Sequence, residues 1–331
     1  MKDHSFDLPP CFDCASEAGA RLEQMFVETV QKRRIALGQS PALRPVFRKL
    51  HGVIAARFVV RPDLPPELGI GVFAGSSYDA WVRFSSDAAP TNHDLETTLG
   101  VAIKLFGVPG QKLLGDGDTH DFVLQNHDVF FVDTAKDMCE FTYAGVVAGD
   151  YQPYLDANPR TAQILKDMAK VEGSLLTAKY WSVLPFRLGS GYVKYFLRPT
   201  IPAENVPDDA TNYLATDLRT RLRGGSYQFE FCVQPRTDPQ TMPLDAATVR
   251  WDSEPTVVGR TATARTSRST SGTRSRSTSP SAVSPRCAAE SMPPAPTRAA
   301  RPTARPTRSP RPRGHYRSHR PRTPTRASSP P

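Results

Sequence analysis

From residue 16 to about 255 the chain alternates apolar and polar positions, first with one period and then with another. Residues 16–36 place Leu22, Met25, Phe26 and Val30 on one stripe, with Arg, Glu and Lys opposite, and this spacing predicts an amphipathic helix. The period then shortens. GVIAARFVV (52–60), AWVRFS (80–85) and VAIKLFG (101–107) are β-rich or alternate strictly and predict strands. DFVLQ (121–125) and VFFV (129–132) are two further short apolar runs, after a turn signalled by Asp116-Gly117. Helical spacing returns over 134–148 and 158–171, the second entered through Asn158-Pro159. GYVKYFLRP (191–199) and YQFEFCVQP (227–235) are again strands. Between them Leu214, Leu218 and Leu222 repeat at four, behind Asp208-Asp209 and before Gly224-Gly225, as in a helix with an acidic start and a glycine stop. Antiparallel strands with helices and no βαβ rhythm give an α+β fold built on a curved sheet or barrel.

Near Thr256 this pattern ends. From Gly259 to Pro331 the chain carries 16 Arg against one acid, Glu290, among Ser, Thr, Pro and Ala, with no Leu, Ile, Phe or Trp. The net charge of +9 is therefore an average of two unlike pieces. The tail contributes +15, so residues 1–258 carry −6. A segment without apolar surface cannot offset its chain entropy and reads as disordered. The expected organisation is an arm and helix over 1–43, a domain over 44–255, and a basic tail over 256–331.

No run of 18 apolar residues predicts a membrane span, and the N-terminus MKDHSFDLPP lacks an apolar leader, so the expected compartment is the cytoplasm. Cys11 and Cys14 form a lone CxxC without further ligands at zinc spacing, and are expected to be unpaired thiols in a mobile arm. No P-loop, dinucleotide-binding glycine pattern, GxSxG or HExxH is present.

What the chain does contain is an ordered set of short strings: RKLHG (48–52), VRFSS (82–86), VAIKLFGVPG (101–110), DFVLQNHDVFFVDTA (121–135), YWSVLPFRLGSGYVKY (180–195) and FEFCVQPRTDPQTMPLDAATVRWD (229–252). In this order they resemble the haem-binding core of the catalase family, and more closely its small, catalase-related branch of haem peroxidases, over about Arg44 to Asp252. The resemblance implies a catalase-like antiparallel β-barrel with appended helices and haem b, with its iron, as cofactor. It implies that His51 is the distal acid–base that takes a proton from peroxide and returns it to the leaving oxygen, which needs a neutral imidazole. Ser85 matches the serine that hydrogen-bonds this ring. Arg48 and Arg83 match arginines that pair with haem propionates, a carboxylate suiting a bidentate guanidinium. Phe130 matches the aromatic over the porphyrin face, and Phe141 lines the same pocket. The family's distal asparagine falls on Gln125, with Asn126 next to it, and either amide is a candidate donor to peroxide. Where the family has Arg-Gly, this chain has Leu99-Gly100. His93, His120 and His127 match no family role and are expected at the surface.

The same family holds its iron from below by a tyrosinate on a late helix, with an Arg four residues before it. No such tyrosine is recognisable here. Tyr316 has Pro312 four positions earlier, and Arg223 and Tyr227 are separated by Gly224-Gly225, which breaks the required helix. Three readings of the tail stand: a native basic extension for RNA or anionic lipid, a linker, or translation in a shifted frame beginning around 253–259. The composition favours the third, because the residues it lacks have A/T-rich codons. The implied activity is haem-dependent decomposition of hydrogen peroxide or an organic peroxide, impaired by the missing proximal ligand. Alternatives are a haem peroxygenase acting on organic or lipid hydroperoxides, and a non-enzymatic protein that engages nucleic acid through its tail. A homo-oligomer is compatible with each.

Overall fold

The computed structural model describes residues 14, 16–40, 43–112, 117–203, 205 and 211–263. Nine strands run in the order β1 (Lys49–Val60), β2 (Ser77–Ser86), β3 (Leu99–Phe106), β4 (Thr119–Gln125), β5 (Tyr180–Trp181), β6 (Phe186–Leu188), β7 (Gly191–Pro199), β8 (Gln228–Pro235) and β9 (Thr256–Thr263). They form one antiparallel sheet, ordered β5-β4-β3-β2-β1-β9-β8-β7-β6. Pairing of Tyr180 with Leu197 and of Trp181 with Phe196 joins β5 to β7 and closes eight strands into a barrel, with β6 as a short arm on β7. Closure leaves the ring without an open edge.

Strand parity decides what fills it. Ile54, Phe58 and Val60 of β1 alternate with exposed Val53 and Val59; across the ladder Gly52, Ile54, Ala56 and Phe58 face the buried Phe84, Val82, Ala80 and Tyr78 of β2. The interior is aromatic. Phe122 lies 4.6 Å from Phe231 and 5.0 Å from Tyr195, Phe58 lies 5.1 Å from Phe231, and Phe73, from the turn between β1 and β2, packs on Phe122. Each such ring contributes roughly 1.5–3 kcal/mol on burial. Helix α6 (Tyr213–Gly224) adds Leu214, Leu218 and Leu222 to this core, as their fourfold spacing predicts. The acidic pair Asp208-Asp209 lies outside the described residues.

A second layer gathers helices outside the barrel. The predicted N-terminal helix forms as α1 (Ala18–Gln24) and α2 (Arg33–Ala36), joined through a π-helical stretch over Met25–Lys32. Helix α3 (Ala135–Thr142) starts at a capping box in which Thr134 and Asp137 exchange side-chain and backbone hydrogen bonds, and continues in π geometry over Tyr143–Val147. Helices α4 (Gln152–Ala157) and α5 (Pro159–Met168) follow, and Pro159 sits in the first turn of α5.

Three expectations are corrected. VFFV (129–132) is not a strand: Phe130 donates its backbone N–H to Ala247, and Val129, Phe131 and Val132 pack with Ile164 and Met168 of α5 as a small second core. The folded domain does not end at 255. Residues 256–263 form β9, paired with β1 on one side and β8 on the other, with Val258 and Thr261 buried. A strand held on both edges by backbone hydrogen bonds needs little hydrophobic signal of its own, so composition misplaced it. Cys14 is not a free thiol: it is joined to Cys139 of α3 by a disulfide across 125 positions, a pairing that spacing does not reveal. Cys11 and the tail from residue 264 lie outside the described residues.

At Gly259 an added Cβ would stand 2.7 Å from the carbonyl oxygen of Val59 and 3.5 Å from the Phe58 ring. Backbone cannot give way as a side chain does. Gly259→Ala is therefore expected to destabilise the barrel by about 1–3 kcal/mol, the usual cost of overpacking, read from the urea midpoint of the full chain. An unchanged midpoint would mean that β9 does not close the sheet as described.

Candidate functional site

Of the residues singled out in the sequence, Arg48, His51, Arg83, Ser85 and Gln125 lie on or beside one end of β1–β4, where the ladder is irregular; Asn126 and Phe130 follow β4, and Phe141 lies on α3. Leu50 pairs with Ser85 and Gly52 with Phe84, so His51 is the extra residue of a β-bulge. The bulge lets Gly52 resume the inward parity while His51 stays out of the ladder. His51 is buried at 8% exposure, and its Nε2 lies 3.1 Å from Ser86 Oγ. Ser85, the expected partner, is engaged elsewhere: it accepts from Arg83 Nη1 at 2.5 Å and donates to the Gly100 carbonyl at 3.4 Å. The Ser85-Ser86 doublet held the right signal one position off, because the bulge shifts the register. His51 Nδ1 is buried and has no hydrogen-bond partner among the described residues.

Beside His51 stands a charged pair that sequence reasoning missed. Lys49 and Asp94 are 5% and 0% exposed in their side chains and meet at 2.5 Å. Lys49 also donates to the Asn92 carbonyl, and Asp94 accepts the Leu214 backbone N–H at 3.0 Å, tying the site to α6. Burial pushes the His51 ring down to about 4; Asp94 pulls it up, while Lys49 and Arg83 push it further down. The ring is therefore neutral at pH 7.

Arg83 donates through Nη2 to the Phe47 carbonyl at 2.8 Å, and burial together with the charge of Arg44 lowers its pKa. Arg48 is half-buried, lines an open pocket of about 320 Å³ with Asp87, Asn92, His93 and Glu96, and with burial lowers the pKa of Arg34. Neither Arg48 nor Arg83 forms an ion pair among the described residues.

The pairing register carries the site across the outer face. Leu50, Ser85, Gly100 and Gln125 form one row over four strands, about 14 Å along the sheet at the usual strand spacing. Gln125 is buried and donates from Nε2 to the Val129 carbonyl at 3.3 Å. Asn126 is committed to structure: its Oδ1 accepts from Leu99 N–H at 2.8 Å and its Nδ2 donates to Glu172 at 3.3 Å. Phe130 and Phe141 do come together, both against Phe131 at 4.5 and 4.8 Å, and Phe141 stacks on Tyr151 at 4.6 Å. Of the three histidines expected at the surface, only His93 is exposed. His127 is buried, and His120 is half-buried against Phe122 at 4.6 Å.

For haem, the distal half of this arrangement fits: a buried neutral imidazole with a ring nitrogen unspent, and two guanidinium groups without a carboxylate partner among the described residues. The opposite half is not found among the described residues. Helix α6 ends at Gly224 and β8 begins at Gln228, so Arg223 and Tyr227 do not share a helix. Tyr316 lies outside the described residues.

No family model matches the chain, and no curated protein does. Solved structures do. A fungal catalase matches at TM-score 0.55 and 16% identity, covering 71% of this chain and 52% of its own. A bacterial catalase matches at 0.55 and 14%, covering 72% and 52%, and catalase A from Saccharomyces cerevisiae at 0.56 and 14%, covering 72% and 55%. The chain spans about half the length of these catalases, and at this identity the likeness is one of fold: a catalase-like, closed eight-stranded α+β barrel. Among the described residues no helix is long and apolar enough to cross a membrane.

The His51 environment makes a pH prediction. An unfolded histidine takes a proton near its ordinary 6.5, the folded ring only near 4. Between these values the unfolded chain holds more protons, so stability falls as pH falls through this window. Burial lowers His120 and His127 as well, so they add to the slope. Melting temperatures from pH 7 to pH 4.5 should fall less steeply in His51→Gln than in the parent; parallel curves would show that His51 is not buried as described.

Proposed function

We propose that this chain presents the distal side of a haem site for peroxide decomposition, with His51 as its proton carrier. The observation that carries the reading is the bulged, buried and neutral His51, its Nε2 beside Ser86 and its ring within the field of Arg83, on a catalase-like barrel. Arg48 and Arg83 would hold the haem propionates, and Phe130 and Phe141 would border the porphyrin. Haem, when bound, supplies the iron at which the peroxide O–O bond is cleaved. The protein's part is to orient peroxide and move its proton. Ser86 fixes the imidazole through Nε2, and Nδ1 is left to accept the proton from one peroxide oxygen and deliver it to the other as that oxygen leaves as water. Gln125, on the same outer row, takes the place of the second amide; Asn126 does not, because both ends of its amide are spent.

Hydrogen peroxide is the first substrate to test. Assignment to the small peroxidase branch rests on the short strings of the sequence alone. The folded part supplies no recognisable tyrosinate among its described residues, so turnover by this chain is expected to be slow. Reconstitution of the full chain with haemin should give a stoichiometric absorption band. Oxygen evolution from peroxide should be weak, and His51→Ala should lower it by a further factor of about 10²–10⁴, the usual worth of a general acid–base, with haemin binding retained. Absence of any stoichiometric haemin complex would sink the reading. A His51→Ala variant that turns over peroxide as the parent does would remove His51 from it.

A further inference from the structure

The segment 43–48 connects the N-terminal helices to β1 and crosses the outer row of the sheet. Its carbonyls are held from both sides. Gln31 donates to Leu43 at 3.2 Å, Arg34 to Arg44 at 3.3 Å and to Pro45 at 3.5 Å, and Arg83 to Phe47 at 2.8 Å. Phe47 itself adopts φ +49°, a left-handed conformation that costs a non-glycine residue energy. Its ring lies on Gly100. A Cβ at Gly100 would stand 2.6 Å from Phe47 Cδ1 and 2.8 Å from Cε1, so only glycine admits the ring there. Gly100 belongs to the outer row between Ser85 and Gln125. Phe47 thus covers the middle of the face on which the proposed haem ligand would have to lie. The next row of that face, Val53, Arg83, Ala102 and Val123, is apolar except for Arg83, and its Val53 and Val123 are exposed.

We propose that Phe47 is the specificity-determining residue of this face: its ring holds the place over Gly100 that a planar aromatic ligand takes, and the ligand binds by displacing it. The inference rests on the haem reading above and adds what that reading lacks, the step by which the face becomes available. Displacement is favoured by release of the left-handed backbone and opposed by loss of the ring's contact with Gly100. A small ligand such as peroxide alone would leave the ring in place; a tetrapyrrole would not. The tethers to Leu43, Arg44 and Pro45 need not break, because only the last residues before β1 have to turn.

The test uses the full-length chain, with metal-free protoporphyrin IX and haemin as probes. The metal-free ring makes the result independent of any iron ligand. Phe47→Gly removes the ring and accepts the positive φ, so the segment keeps its course; Phe47→Leu removes it in part. Circular dichroism and melting curves establish that both fold. Association is followed by porphyrin absorbance and by quenching of tryptophan emission. The expected order of affinity is parent, then Phe47→Leu, then Phe47→Gly, with the last binding about tenfold tighter or more, as for removal of one partly buried aromatic contact, and associating faster. Equal affinities in all three chains would overturn the proposal and leave the haem reading standing. Weaker binding by Phe47→Gly would also overturn it, by making the ring part of the ligand's own contact. No binding of either probe by any of the three would overturn both.

Discussion

Aromatic rings occupy the interior of the closed barrel. Phe58, Phe73, Phe122, Tyr195 and Phe231 fill it with rings in mutual contact, and closure through β5 and β7 leaves no edge at which a ligand could enter the sheet. Whatever this domain binds must therefore meet its outer face or its ends. The alternation of side chains then decides which residues are eligible. Ser85, Gly100 and Gln125 face outward because Phe84, Val101 and Leu124 face inward, and the second set is not negotiable. The bulge at His51 relaxes this rule on β1, as the register shift between Phe231 and Cys232 does on β8. A residue too many opposite Ser85 frees a histidine from the ladder without disturbing the parity of Ile54 and Phe58 beyond it.

Most of the architecture was legible because it follows from periodicity. The strands from β1 to β4, β7 and β8, the helical stretches 16–36, 134–148 and 158–171, and the leucine stripe of α6 all show in the spacing of apolar residues. What failed did so for physical reasons. Strand β9 owes its place to two neighbours and offers only Val257 and Val258 as apolar signal. VFFV is apolar because it fills a gap under α5, which periodicity cannot distinguish from a buried strand. For the candidate site, the strings single out His51, Arg83 and Phe130, and the structure brings His51 and Arg83 to the same end of the barrel. Ser86 was missed by one residue because bulges do not announce themselves. Lys49, Asp94 and Phe47 were missed because their significance lies in contacts made across 45, 120 and 53 positions of chain, to Asp94, Leu214 and Gly100 respectively.

The N-terminal helices also prove to be part of the site's frame. Cys14 and Cys139 join the start of α1 to α3, the helix that carries Phe141, and Met25 and Ala18 are buried with them in a small core of their own. From the same helices Gln31 and Arg34 reach the segment that positions Phe47. The arm and helix read over 1–43 thus contact two sides of the candidate site, and a change in their packing would be felt at both Phe47 and Phe141.

The charges around His51 decide what it can do. Lys49 and Arg83 act on it, and Arg44 stands near Arg83, while residues 1–258 as a whole are acidic. The one carboxylate that acts appreciably on the ring is Asp94, and it is already engaged by Lys49 and by the N–H of Leu214. Had Asp94 been free to act on His51 alone, it would have favoured the imidazolium, which has no lone pair with which to accept a proton. Burial outweighs it, and the cations add to burial, so the ring stays basic in kind but unprotonated. Lys49 is spent on Asp94, but Arg83 has no carboxylate partner among the described residues and is available to an anionic group of a ligand. Neutral base and unpaired guanidinium are thus two consequences of one arrangement: positive charge kept close to the ring, and the one carboxylate that acts on it spent on Lys49.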